Sequence, residues 1–160
     1  MTWKNHKLVS IAIAYAIGLP LEGIIAVAIG SIIPDFIEFV FKIKHRGISH
    51  FWGIYALVFL FATYHAFQQP IIAGLIIKWT SLGCLLHLFE DAMSKAGIPM
   101  FPGTFKRIKL GQLYITKQPS EIIVALSILA ICVAIKMIKI HFGIDVWRPE
   151  ILTINIINVQ

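Results

Sequence analysis

Apolar residues in this chain come in long unbroken runs, with polar residues gathered between them. Five runs stand out: Thr2–Leu19, ended by Pro20; Leu21–Phe41, interrupted by Pro34-Asp35; Phe51–Phe67, closed by Gln68, Gln69 and Pro70; Ile71–Met93; and Ser120–Ile140. The apolar residues are continuous rather than alternating, which argues against half-buried strands. A membrane-spanning helix needs about 20 residues, within a range of roughly 17–25, so each run is long enough or nearly so. The first is the weakest, because its uncharged core, Leu8–Leu19, has only twelve residues. That suits a tilted, partly inserted or re-entrant helix. The pattern predicts an all-α, polytopic helical membrane protein with about four to five apolar helices.

Two stretches depart from the pattern. Gly97–Gln118 carries Pro99, Pro102, Gly103 and Gly111 together with Lys106, Arg107, Lys109 and Lys117, and reads as a loop. Its Phe105, Ile108, Leu110, Leu113 and Tyr114 suggest that it lies along the membrane surface. The tail, 143–160, holds a short alternation at Thr153-Ile154-Asn155-Ile156 that fits either a strand or an interfacial segment. The expected organisation is one helical membrane domain over 1–142 followed by this tail. A basic start, Met1–Lys7, before an apolar run also resembles a secretory signal peptide; the segment must be retained if His6 is a ligand.

Composition agrees with a membrane protein. Of 160 residues, 58% are hydrophobic and only 14% charged, where soluble domains carry about 25% charged residues; the mean hydropathy is +0.83. The net charge of +6 invites a nucleic-acid reading, but no helix-turn-helix or zinc-finger spacing supports one. Placement explains the charge. If the helices alternate, the N-terminus, the Lys42–His50 loop and the Lys95–Lys117 loop share one side, which holds ten of the fourteen Lys and Arg. The positive-inside rule makes that side, and the N-terminus, cytoplasmic. Basic residues there meet anionic headgroups, so membrane lipids are expected partners and nucleic acid is not; oligomeric state is open. Cys84 and Cys132 lie in apolar runs without CxxC spacing and read as small buried hydrophobes.

Six residues with metal-ligating chemistry come to the same side: His6, Asp35, His45, His50, His87 and Asp91. Ionisable groups in or beside membrane helices are costly and mark functional candidates. In His87-Leu-Phe-Glu-Asp91 the ends are four apart, on one helix face. An imidazole and a carboxylate there suit zinc, or manganese or iron with more oxygen ligands; the same spacing also makes an ordinary hydrogen-bonded pair. In His45-Arg46-Gly47-Ile48-Ser49-His50 two histidines flank a glycine turn, and Arg46 can grip a phosphate or carboxylate bidentately. The plain alternative is a basic cytoplasmic loop. Pro34-Asp35, with Glu38 three residues on, either breaks a helix at a polar cavity or marks where the chain meets water. His6 alone would be a solvated terminal histidine. His65 and His141 fall at the other face and are excluded, and Trp3, Trp52 and Trp147 read as interfacial anchors.

The order His6, Pro34-Asp35, HRGISH (45–50), His87-xxx-Asp91 and AGIPMFP (96–102) resembles the YdjM-type membrane-bound metal-dependent hydrolases, also described as LexA-regulated or LexA-binding inner-membrane hydrolases. The match spans roughly residues 1–105 and keeps the order throughout. Ser49 stands where the family usually has Thr, and after Asp35, where the family often continues Asp-x-Asp-His, this chain has Phe36, Ile37 and Glu38. No residue here resembles a LexA-binding surface. A remoter similarity, in the order of His, Asp, His and His-xxx-Asp, is to zinc-dependent phospholipase C and P1-type nucleases. By that analogy Asp91 bridges two ions, with His87, Asp35 and one of His45 and His50 on one and His6 on the other.

The resemblance implies a bacterial inner-membrane location, one or two divalent transition-metal ions, zinc first with manganese or iron as alternatives, and hydrolysis of a phosphoester or lipid-type substrate by a metal-activated water. Arg46 and Lys44 would orient the anionic substrate, with Glu38 or Glu90 as general base. The rival is a non-catalytic metal-binding membrane protein: a sensor, transporter or regulatory partner. A transporter wants polar residues through the bilayer, which the fourth and fifth runs offer only at Lys78 and Lys136. A membrane zinc protease is disfavoured because His-Glu-x-x-His is absent.

Overall fold

The computed structural model describes residues 1–43, 45–68 and 71–144. Its helices are α1 (Trp3–Ile17), α2 (Leu21–Gly30), α3 (Ile33–Phe41), α4 (Trp52–Gln68), α5 (Ile72–Ala92) and α6 (Pro119–His141). A 3-10 turn, Ile48–His50, precedes α4. Two short antiparallel strands, β1 (Ile98–Pro99) and β2 (Arg107–Ile108), pair Ile98 with Ile108 and Pro99 with Arg107. Lys44, Trp147, Arg148 and the Thr153–Ile156 alternation lie outside the described residues.

The five apolar runs all form helix, as their pattern predicts. The second breaks earlier than expected, at Ser31-Ile32 rather than at Pro34-Asp35. Proline donates no hydrogen bond, and its ring clashes with the carbonyl four residues back, which here is that of Gly30. Helix α2 therefore gives out at Gly30, and Pro34 sits in the first turn of α3, where a missing N–H is harmless. Leu21–Phe41 taken together, α5 and α6 are each long and apolar enough to cross a membrane. Helices α1 and α4, with 15 and 17 residues, are shorter.

Helix α5 is central: it packs against α2 and α4, while α1 packs against α2 and α6. Outward-facing Leu57, Phe61, Ile123, Ile131 and Met137 are each more than half exposed. A protein in water seldom shows so much apolar surface; lipid tails solvate it. The helix contacts are built from small residues, as in membrane bundles generally. Ala12, Ala16 and Cys132 join α1 to α6. Gly30 and Gly83 meet where α2 crosses α5, and a Cβ on Gly30 would stand 2.0 Å from the Thr80 carbonyl oxygen.

One end of the bundle is tied together by polar contacts. Glu121, in the first turn of α6, accepts hydrogen bonds from the backbone N–H of Thr2 (2.7 Å) and Lys117 (2.7 Å) and from Asn5 Nδ2 (2.6 Å), clamping the N-terminal segment to α6. The loop after α5 is more built than its composition suggests. Its Leu110 and Leu113 N–H groups donate to the Ala92 and Met93 carbonyls. Tyr114, grouped with the surface residues from sequence, is buried and donates to the Glu90 carbonyl.

Candidate metal centre

At that same end, three imidazoles point one nitrogen each at a common centre while the other nitrogen is held from behind. His6, one turn into α1, has Nδ1 2.6 Å from Glu90 Oε2. His87 on α5 has Nδ1 2.7 Å from the Ser31 carbonyl oxygen. His50, closing the 3-10 turn, has Nδ1 2.8 Å from Glu38 Oε1. An acceptor on one ring nitrogen fixes the tautomer and leaves the other free as a ligand, the arrangement found behind metal-bound histidines. All three side chains are fully buried. Asp35 from α3 and Asp91 from α5 complete the set.

The spacing can be tested against a metal. A tetrahedral ion with bonds of about 2.0–2.1 Å requires donors about 3.3–3.4 Å apart. His50 Nε2 lies 3.2 Å from His87 Nε2, 3.4 Å from Asp35 Oδ1 and 3.5 Å from Asp91 Oδ2. His87 Nε2 lies 3.6 Å from Asp35 Oδ1 and 4.0 Å from Asp91 Oδ2. The first four of these separations lie near the tetrahedral edge, and the His87–Asp91 distance is longer. The other Asp91 oxygen faces His6 Nε2 at 3.5 Å. Thus His6, His87 and Asp91 form one group able to hold an ion, and Asp35, His50 and His87 another, sharing His87. Among the described residues, the buried polar atoms lacking a hydrogen-bond partner include His6 Nε2 and Asp35 Oδ1. Both belong to this cluster, and a leftover buried acceptor is costly unless something satisfies it. The residues present fit a divalent metal.

The remaining expected residues stand around this set. His45 does not join the three imidazoles: its side chain is 67% exposed and its Nδ1 contacts the outer oxygen of Glu38 at 2.6 Å. With Asp35 and Glu38 it forms a separate, partly exposed group of possible ligands. Glu38, expected as a general base, has its carboxylate engaged by His45, His50, the Ser49 hydroxyl and the Arg46 N–H at 2.7 Å. Arg46, expected to grip substrate, is 6% exposed and places NH2 2.9 Å from Asp91 Oδ1. Its NH1 donates to Ser94 Oγ (2.9 Å) and the Gly97 carbonyl (3.2 Å). These contacts hold Arg46 in the left-handed region, φ 56°, which costs a non-glycine residue about 1–2 kcal/mol. The Met1 amine also lies 2.7 Å from Asp91 Oδ1.

Sequence reasoning missed the Ser31 carbonyl and underweighted Glu90. A backbone acceptor leaves no trace in side-chain identity, although Pro34 four residues from Gly30 signals the helix break that brings it there. Glu90 was visible as a charge in an apolar run. Its burial and its contacts to His6 and to Ser10 Oγ (2.9 Å) come only from the fold.

Two predictions arise here. Glu38→Gln keeps the shape but removes the charge behind His50 and the Arg46 turn. We expect metal affinity to fall about 10- to 100-fold, read by competition against a fluorescent chelator. The second concerns pH. Burial alone would lower the His50 pKa, but Asp35, Asp91 and Glu38 outweigh it and hold the imidazole up to about 10. Without metal, His50 then carries a proton at neutral pH that an incoming ion must displace. The competition is full at pH 7 and fades as pH climbs towards 10. Apparent affinity should therefore rise with pH by about tenfold per unit. Metal titrations between about pH 6.5 and 8.5 test this; a flat profile contradicts it.

Fold and site define a helical membrane protein with a buried His/Asp cluster at one end of its bundle. The chain belongs to the YdjM inner membrane protein family, whose model matches residues 1–148. No curated protein and no solved structure matches the chain.

Proposed function

We propose that this protein is a membrane-embedded, metal-dependent hydrolase acting on a phosphoester or lipid-type substrate at the cytoplasmic surface of the membrane. The observation that carries the reading is the set of three buried imidazoles, each with Nε2 turned inward and Nδ1 braced, around two aspartates. Nitrogen and carboxylate donors at near-tetrahedral spacing favour zinc, with manganese or iron as alternatives. Bound there, a divalent ion supplies charge that lowers the pKa of water and stabilises negative charge developing on the substrate. The cytoplasmic placement rests on the positive-inside rule.

Asp35, His50, His87 and Asp91 are assigned as ligands. The Arg46 guanidinium already pairs with Asp91 Oδ1, the oxygen that faces His6 Nε2, which would favour one ion over two. His6 then takes the proton of the attacking water, with Glu90 holding its ring. As the water oxygen bonds to phosphorus, the ester P–O bond breaks and the proton passes to the departing alkoxide. Glu38 is a positioning residue through His50 and Arg46.

The test is turnover by detergent-purified protein on a panel of phosphoesters, after chelation and after zinc or manganese is restored. Metal-dependent turnover is expected. Metal binding without turnover would replace this reading with a sensor or regulatory protein. His6→Gln sharpens the assignment. It should lower turnover about 100-fold or more while metal content is retained; loss of metal instead would make His6 a ligand.

A further inference from the structure

Beside the cluster, two cavities share a wall of two arginines. One, of about 580 Å³, is lined by His45, Arg46, Arg107 and Lys109 with Ala96 and Thr116. The other, of about 220 Å³, is lined by Arg46 and Arg107 together with Thr104 and Phe105. No acidic residue lines either. We propose that Arg107 and Lys109, with Arg46 behind them, form a subsite for the phosphate of an anionic phospholipid headgroup. Its role as a substrate subsite rests on the hydrolase reading; its affinity for the headgroup does not.

The arginines are placed together by construction. Arg46 NH1 and Arg107 NH1 both donate to the Gly97 carbonyl, at 3.2 and 3.4 Å. Gly97 itself has φ +66°, and a Cβ there would stand 2.4 Å from the Ile108 carbonyl oxygen, so the β1–β2 hairpin that carries Arg107 depends on this glycine. The two guanidinium groups share that carbonyl, and planar forks of donors match phosphate oxygens. Arg46 Nε is a buried donor without a hydrogen-bond partner. Arg46 is balanced by Asp91 at 2.9 Å, so the charge open to a ligand is that of Arg107 and Lys109. Among the described residues, Asp35, Glu38, Glu90, Asp91 and Glu121 are all committed to the internal network.

The lipid identity comes from the rim. Phe105, in the wall of the smaller cavity, is 99% exposed, and Phe101 is 52% exposed on the same turn. Aromatic side chains beside lysines and arginines favour the headgroup region of a membrane. An anion that brings an apolar body satisfies cavity and rim together; free phosphate satisfies only the cavity. Because Arg46 touches Asp91 at 2.9 Å, a headgroup phosphate held here is one side chain away from the candidate metal ligands.

The experiment is native mass spectrometry of the full chain in neutral detergent, treated with chelator, with dioctanoyl phosphatidylglycerol, dioctanoyl phosphatidylcholine or inorganic phosphate. Wild type should bind phosphatidylglycerol about tenfold or more tightly than phosphatidylcholine. R107Q/K109Q should lose that preference, and K7Q, outside the cavity, should keep it. K109E alone, at an exposed position, serves if the double variant proves unstable. Equal binding of the two lipids by wild type, or an unchanged preference in the cavity variants, would overturn the proposal. So would inorganic phosphate displacing phosphatidylglycerol at equal concentration. Selective lipid binding with no phosphoester turnover would sink the hydrolase and leave the subsite. Turnover with unchanged KM in R107Q/K109Q would do the reverse.

Discussion

Asp91→Asn protein is expected to purify without a transition metal, where wild type retains about one equivalent. Asp91 is 1% exposed and serves both sides of the cluster. Its Oδ2 lies 3.5 Å from His50 Nε2 and 4.0 Å from His87 Nε2, and its Oδ1 pairs with Arg46 at 2.9 Å. Alanine would remove a ligand and also strand a buried guanidinium, at about 3–5 kcal/mol, so loss of metal and loss of fold would be confounded. Asparagine keeps an oxygen for Arg46 and removes the ligand charge. Residues behind a metal ligand are worth about 10- to 100-fold in affinity; a ligand itself should exceed that. Elemental mass spectrometry beside a melting curve reads both quantities. Metal retained in the Asn variant, or absent from wild type after zinc and manganese are restored, would remove the basis of the site.

Gly83→Ala should prevent the chain from accumulating as a folded, monodisperse protein. In an exposed helix interior this change gains about 1 kcal/mol from helix propensity. Here the new Cβ would stand 2.2 Å from the Val27 carbonyl oxygen and 2.9 Å from the Gly30 Cα. Those are backbone atoms and cannot rotate away, so α2 and α5 must separate. Overpacking typically costs about 1–3 kcal/mol, occasionally more, and a rigid helix crossing falls at the upper end. The effect reaches the site. His87 lies one turn beyond Gly83 on the same face of α5, and its Nδ1 needs the Ser31 carbonyl at 2.7 Å. Any folded remainder should therefore bind metal weakly as well. Size-exclusion profiles and metal content of Gly83→Ala, with the remote Gly74→Ala as control, check both. A Cβ added to Gly74 would meet nothing within 4 Å, so that variant should behave as wild type.

The helices could be read from the pattern because lipid demands long continuous apolar runs, and each run became helix within a residue or two of its expected ends. The break in the second run was anticipated but misplaced, since proline acts on the carbonyl four residues back rather than on its own position. The site was legible as a set of residues. His6, His87 and Asp91 form one group and Asp35, His50 and His87 another, sharing His87, while His45 turns outward on Glu38. What chemistry Glu38 and Arg46 could perform was harder to see, because a side chain's task depends on which of its atoms are already engaged.

By itself, the sequence determined that this is a helical membrane protein, which end of the bundle carries its charges, and which residue types could bind a metal there. Those follow from local rules: apolar run length, loop charge and the spacing of four along one helix face. Only the tertiary structure decided which nitrogen each histidine presents, that the Ser31 carbonyl and Glu90 stand behind two of them, and that Arg46 serves Asp91 while Arg107 comes beside it. The partners in these contacts lie on different elements, and Gly30 and Gly83 set how closely two of those elements meet. That closeness is a property of the packed bundle, and no single segment contains it.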